Sequence, residues 1–358
     1  MGASHLLAPG VWAVTGEVIP TLTRFARNAR REVAPYGDDV RPTNPDLPPV
    51  ALADLPRAMH YGEFYGLKPM PASDKPLLVV HGNCQAESIR LLLQGAEDAP
   101  CVSVRVPAVH ELTADEIPFL KRLLERAAVV LTQPVSDGYH DLPLGASEVH
   151  AAAPAARLVR WPVIRYAGLL PWHIVSSHED VGDPPVVPYH DVRTIALALG
   201  EDVPRTDPAG IRAVAHWSIT ELHDRETRAG AVPVSRLVLD AGADASNTIN
   251  HPGNPVLVPL ARAIERRLGW PVTAADPGYE LLDSVRAPRD PRVLNALGLD
   301  VDDGLDVSGE NWVVDGKPVP NSEVVEIQLA WYHQHPEVLA AVAARSAEQR
   351  RLLGSTAA

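Results

Sequence analysis

Cysteine is scarce in this chain, with two residues among 358, Cys84 and Cys101. Two thiols cannot build a disulfide framework, and their spacing is not that of a zinc site, so no metal is expected. Long apolar runs are lacking as well: no window approaches the roughly 20 residues that a helix needs to cross a bilayer. Positive charge is the third shortage. Against 45 Asp and Glu stand 32 Lys and Arg, a formal net charge of −13. Such a chain has no general field for a nucleic-acid backbone, which excludes that class of partner. An anionic ligand has to be met locally, by grouped arginines or helix N-termini. No internal repeat is present at solenoid periods. No basic segment precedes the apolar stretch of residues 1–20, which argues against a secretory signal. Leu6 breaks the myristoylation pattern that Gly2 would open. A cytoplasmic protein is the expectation.

What is present is an ordinary globular composition, 46% hydrophobic and 22% charged, which excludes disorder over the whole chain. The length suits one large α/β domain with extensions, or two smaller domains. Residues 1–35 can form an amphipathic helix with Val18, Leu22, Phe25 and Ala29 on one face, suited to packing on the body or on a second copy. Residues 35–56 are proline-rich and read as an extended connector. The expected division is 1–74 as N-terminal helix and connector, 75–275 as an α/β domain, and 276–358 as a mainly helical extension. Within that extension, Asp315-Gly316 suggests a hairpin over 312–319, and His335-Pro336 should break the helical run over 323–351.

The central block alternates strand and helix. Residues 76–81 form a short apolar run, followed by Gly82-Asn83-Cys84-Gln85 and a helical pattern with Ile89, Leu92 and Leu93. Strand, glycine turn and helix open a βαβ unit. Further strands are expected at 101–107, 127–132 and 156–160, with a helix starting at Thr113. This spacing predicts a parallel sheet covered on both faces by helices, and then a mainly helical region from Tyr189 on.

Ligands of such sheets sit beyond the carboxyl ends of the strands. The first turn places Cys84 at a helix start, where the dipole favours a thiolate, flanked by the amides of Asn83 and Gln85 as oxyanion donors. Gly82 lets the chain turn. Cys84 reads equally as a small buried residue at a strand end. No glycine-rich phosphate loop follows it. The later run Ser246-Asn247-Thr248-Ile249-Asn250-His251-Pro252 offers His251 as a base, or else a capping loop with a surface histidine. Arg157, Arg160 and Arg165 surround the fourth strand end and read either as phosphate partners or as a solvated edge.

The run Leu77-Leu78-Val79-Val80-His81-Gly82-Asn83-Cys84-Gln85-Ala86 resembles the N-terminal signature of the WcbI-type polysaccharide biosynthesis family. So does Asn250-His251-Pro252-Gly253-Asn254-Pro255, lying after the Gln133-Pro134 turn. The resemblance covers about residues 75–270. It implies coenzyme A binding and acyl (acetyl) transfer to a sugar of a capsule or other glycan, with acyl-CoA and the glycan as partners. The layout is also similar to SGNH hydrolases, which implies an SGNH- or flavodoxin-like three-layer core with helical extensions at both ends. Cys84 would stand for the usual serine and His251 for the late histidine. The aspartate three residues before that histidine is replaced by Thr248, so Asn250 or a backbone carbonyl would have to orient the ring. On this reading Cys84, His251, Asn83 and Gln85 are the catalytic set. Gly82, Gln133, Asn250 and the phosphate partners Arg90, Arg160 and Arg165 would bind the coenzyme. The rival readings are a thiol-dependent esterase or deacylase, a coenzyme A binding module without catalysis, and an assembly role in which the terminal helices dock a second copy.

Overall fold

The computed structural model describes residues 39–44, 47–51, 54–204, 207–300 and 308–354. The helix expected over 1–35 lies outside the described residues. A short antiparallel pair, β1 (Asp39–Val40) and β2 (Val50–Ala51), precedes α1 (Leu55–His60). Strand and helix then alternate through β3 (Leu77–His81), α2 (Gln85–Gln94), β4 (Val102–Ser103), α3 (Ile117–Arg126), β5 (Val129–Thr132), α4 (Ala146–Ala152) and β6 (Arg157–Arg160). The four strands β3 to β6 form one sheet in the order β4-β3-β5-β6, with every neighbouring pair parallel. The expected α/β class is what the chain adopts.

Period-two alternation explains why this sheet is apolar on both faces. Leu78, Val80 and Leu131 point to one core, shared with Ile89 and Leu93 of α2. Val79 and Val130 point to the other, shared with Phe119 and Leu123 of α3 and Val149 of α4. Each such side chain contributes roughly 1.5–3 kcal/mol by leaving water. The start of α3 is fixed by Thr113, whose N–H donates to Glu116 Oε2 at 2.8 Å in a capping box. The strand expected over 101–107 narrows to two residues. The Ser103 N–H donates to Gln94 Oε1 at 3.1 Å rather than to a neighbouring strand, and Pro107 has no donor to give.

Beyond the sheet come the antiparallel pair β7 (His173–Ile174) and β8 (His190–Asp191), then α5 (Val192–Leu199), α6 (Pro208–Ala229) and α7 (Ser235–Asp240). A tight pair, β9 (Ser246–Thr248) and β10 (His251–Pro252), leads into α8 (Asn254–Leu268), which packs beside α2 on the first core.

The C-terminal part builds a second, antiparallel sheet from β11 (Val285–Arg286), β12 (Asn311–Val314) and β13 (Lys317–Pro320), with α9 (Pro291–Leu297) between the first two. The β12–β13 turn has φ of +47° at Asp315 and +75° at Gly316, as a tight Asp-Gly hairpin requires. Then α10 (Asn321–Gln334), α11 (Pro336–Arg345) and α12 (Ala347–Leu352) close the chain, with the break at His335. Trp312, Val324, Tyr332, Leu339 and Leu353 enter the same core as α2 and α8. Trp312 is stacked between His173 and Tyr189, with ring centroids at 4.9 and 5.7 Å. Among the described residues no helix is long and apolar enough to cross a membrane.

Candidate functional site

The site lies where β3, β5 and β6 release the chain at their carboxyl ends. Gly82 follows β3 directly. A Cβ there would stand 2.6 Å from Gln133 Oε1, so only glycine leaves room for the glutamine that follows β5. Gln133 Oε1 accepts the Asn83 N–H at 2.8 Å, and Asn83 Oδ1 accepts the Gln85 N–H at 3.0 Å. These two bonds shape the turn that delivers Cys84 to the first position before α2.

Gln85 has a different place from the one expected of it. It is wholly buried, and its amide donates to the carbonyls of Ile164 and Asn250, both at 2.8 Å. Its Oε1 accepts from the Ile164 N–H at 3.1 Å and from Gln133 Nε2 at 3.2 Å. Both amide hydrogens are thus engaged, and none is left for an oxyanion. Gln85 ties the first turn to the loop after β6 and to the loop before His251.

That tie brings Cys84 Sγ to 3.8 Å from His251 Nε2, across 167 residues of sequence. The tight β9–β10 pair and Gly253 hold the histidine. A Cβ at Gly253 would meet the Asp244 carbonyl at 2.4 Å. Tyr189 completes this wall: its hydroxyl bonds Thr248 Oγ1 at 2.8 Å and donates to Asn250 Oδ1 at 3.0 Å, while its ring meets His251 edge-on. Asn250 is thereby committed through Oδ1 to hydroxyls and not to the imidazole.

The electrostatics differ from the thiolate expected at a helix start. Burial pushes the Cys84 thiol up to about 11, and Glu111 adds to the rise. The N–H groups of Cys84 and Gln85 and the Arg165 guanidinium oppose that rise without cancelling it. Desolvation of a sulfur anion outweighs the partial charge at the helix end. Burial also lowers His251 to about 4, against a small upward pull from the Leu282 backbone. At neutral pH the resting pair is therefore a thiol and a neutral imidazole.

The structure sorts the three arginines. Arg90 is held by Glu87 through two bonds of 2.7 and 2.8 Å, with Gln94 and Ser103 on its other nitrogen, so four of its five N–H donors are taken. Arg160 is exposed at the end of β6, and its guanidinium has no partner among the described residues. Arg165 sits between Ile164, bonded to Gln85, and Tyr166, whose N–H donates to the Ile249 carbonyl at 2.8 Å. Its side chain reaches solvent and forms no ion pair among the described residues, close enough to Cys84 for the two charges to interact. Asn83 keeps Nδ2 free of protein partners among the described residues. Among them, no three His, Cys, Asp or Glu residues group to hold a metal ion. Sequence reasoning passed over Tyr189 and Trp312, because nothing in their spacing ties them to a loop more than 55 residues away.

Together, fold and site define a parallel α/β protein with a Cys–His pair at the carboxyl edge of its sheet. The family model described as polysaccharide biosynthesis enzyme WcbI matches residues 77–273, more than half of the chain, and the chain belongs to that family. A solved structure of WcbI is similar in fold, with a TM-score of 0.65 at 17% sequence identity, covering 78% of this chain and 98% of the other. That structure is described as a novel polysaccharide biosynthesis enzyme, the native protein without a disulfide bond between coenzyme A and one of its cysteines. No curated protein sequence matches the chain significantly.

Proposed function

We propose that this chain is a coenzyme A-dependent acyl transferase, with acetyl as the acyl group and a hydroxyl of a sugar or glycan as the acceptor. The observation that carries this reading is the 3.8 Å approach of Cys84 Sγ and His251 Nε2 beside the unengaged Nδ2 of Asn83. Membership of a polysaccharide biosynthesis family and the coenzyme A named with the structural neighbour support it.

A neutral imidazole accepts the proton that acyl transfer releases. It takes that proton from the Cys84 thiol, as sulfur attacks the thioester carbonyl, or from the acceptor hydroxyl, with Cys84 lining the pocket. The first route breaks the thioester C–S bond and forms an acyl-Cys84 enzyme, the imidazolium handing its proton to the departing coenzyme A sulfur. The acceptor oxygen then takes the acyl group while the again neutral His251 accepts the hydroxyl proton and passes it to the departing Cys84 sulfur, restoring the thiol. In the second route the acceptor oxygen attacks the thioester directly and the same proton goes to the departing coenzyme A sulfur. In either route Asn83 Nδ2 donates to the carbonyl oxygen as negative charge develops, a contribution of about 3 kcal/mol for one such donor. Arg165 and Arg160 meet the phosphates of the donor as charge-assisted hydrogen-bond donors. Gln85, Gln133 and Gly82 serve by holding the turn. In this reading residues 75–275 carry donor and catalysis, 276–358 complete their core, and the reaction takes place in the cytoplasm, where acyl-CoA is found.

The test is calorimetric titration of coenzyme A and acetyl-CoA into the protein and into Cys84→Ala. Micromolar binding supports the reading, and loss of affinity in the variant shows that sulfur touches the ligand. No binding to either form overturns it. Consumption of acetyl-CoA at equal rates with and without a glycan acceptor would instead assign a hydrolase.

A further inference from the structure

His251 directs Nε2 at Cys84, but its other ring nitrogen, Nδ1, is buried with no hydrogen-bond partner within ordinary limits. A buried polar atom left in that state costs about 1–3 kcal/mol. The position three residues earlier is Thr248, whose hydroxyl is spent on Tyr189 and Asn250. Asn250 Oδ1 is occupied as well.

The segment that packs against the histidine loop is 279–282, bonded to Asn254, and its Leu282 backbone is the group that draws the His251 proton affinity upward. Leu282 has φ of +54°, the left-handed region, which costs a residue with a Cβ roughly 1–2 kcal/mol. Its segment is lashed to the histidine loop from several sides. Leu281 N–H donates to Asn254 Oδ1 at 3.1 Å, and Asn254 Nδ2 donates to the Tyr279 carbonyl at 2.8 Å. Glu280 Oε1 accepts from the Asn254 N–H at 3.1 Å and from Asn247 Nδ2 at 3.3 Å. A strained residue at the end of so firm a strap is over-determined by its surroundings, as strain at working sites generally is.

We infer that the Leu282 carbonyl is the positioning group of His251, accepting the Nδ1–H and standing where a triad would place a carboxylate. The inference rests on the Cys84–His251 pair being the working site. It fixes the tautomer: the proton sits on Nδ1, and Nε2 is left as the acceptor facing the thiol. When Nε2 takes a proton from sulfur or from the acceptor hydroxyl, the imidazolium keeps its Nδ1–H on a neutral carbonyl. When that proton leaves again, the same tautomer returns. The left-handed turn at Leu282 is the device that swings the carbonyl toward the ring, so the backbone conformation matters and the leucine side chain does not.

Nitrogen-15 NMR of the full chain labelled at histidine reads this directly, with His251→Gln used to assign the resonances. At pH 7.5 to 8 the expected result is a dominant Nδ1–H tautomer, by about tenfold, opposite to the preference of a free histidine side chain. A dominant Nε2–H tautomer in the unaltered chain overturns the inference, whatever the variants do. Leu282→Gly and Leu282→Val then separate backbone from packing. Glycine accepts a positive φ and should keep the tautomer ratio within about twofold, while β-branched valine resists it and should bring the ratio near one. If side-chain packing alone holds the ring, the order reverses, with glycine losing the ratio and valine keeping it, and the inference falls. None of these readouts needs an acyl donor, so they stand apart from the coenzyme A titration.

Discussion

At the residue scale the site turns on which polar atoms are already taken. Asn83 uses Oδ1 to cap the Gln85 N–H and leaves Nδ2 open, whereas Gln85 has nothing left to offer. Asn83→Asp separates the two jobs, because a carboxylate keeps the capping oxygen and removes the donor. Acyl transfer in that variant should fall about 100-fold in kcat, with the melting temperature changed by no more than a few degrees. Steady-state kinetics beside thermal unfolding checks it, and an unchanged kcat would remove Asn83 from the reaction. Cys84 and His251 were legible in the sequence because each sits in a short polar motif punctuated by glycine or proline. Arg90 shows the limit of that kind of reading. Its neighbours Glu87 and Gln94 lie three and four residues away on the same helix face, and they claim the guanidinium before any phosphate can.

At the element scale the decisive part is the turn after β3, held by Gln133 from below and by Gln85 from inside. Gln85→Ala leaves the carbonyls of Ile164 and Asn250 and the N–H of Ile164 unpaired in a buried place. It should cost about 3 kcal/mol of stability, measurable by urea unfolding. Gly82→Ala acts on the same turn by steric means: a methyl group 2.6 Å from Gln133 Oε1 must displace that side chain and free the Asn83 N–H. Coenzyme A affinity should then fall at least tenfold while the far-ultraviolet circular dichroism holds. Strand β3, the turn and α2 could be read locally, because apolar alternation and glycine are properties of neighbouring residues. The Gln85 bonds could not, since their partners lie 79 and 165 residues further on. Leu282 was hidden for a different reason, because a left-handed backbone has no signature in a leucine.

At the scale of the whole molecule, buried histidines tie stability to pH. His251 and His173 are both lowered to about 4 by burial, and the nearby Asp191 raises His173 too little to offset it. The unfolded chain binds protons at these groups near pH 6.5, before the folded chain does, so stability falls as pH drops from about 6.5 toward 4 and levels off below. Each group can contribute on the order of 3 kcal/mol over that window. Thermal unfolding between pH 7.5 and 4.5 should show a steep fall in melting temperature, shallower in His251→Gln. A flat profile would mean that these rings are solvated. The C-terminal sheet shares the core of α2 and α8, because Trp312 stacks on both His173 and Tyr189.

Burial of the two thiols has a consequence for the life of the chain before it is folded. Cys84 and Cys101 are both pushed up to about 11 by burial, whereas an unfolded cysteine ionises near 8.5. At pH 8 the thiolate fraction in the nascent or denatured chain is then roughly two orders of magnitude larger than in the native one. Thiol oxidation should therefore be faster in the unfolded chain than in the native one. Mass-spectrometric counting of iodoacetamide adducts at pH 8 should find both cysteines modified within minutes in urea and largely intact without it. Refolding yields should accordingly depend on a reductant that the native protein does not need.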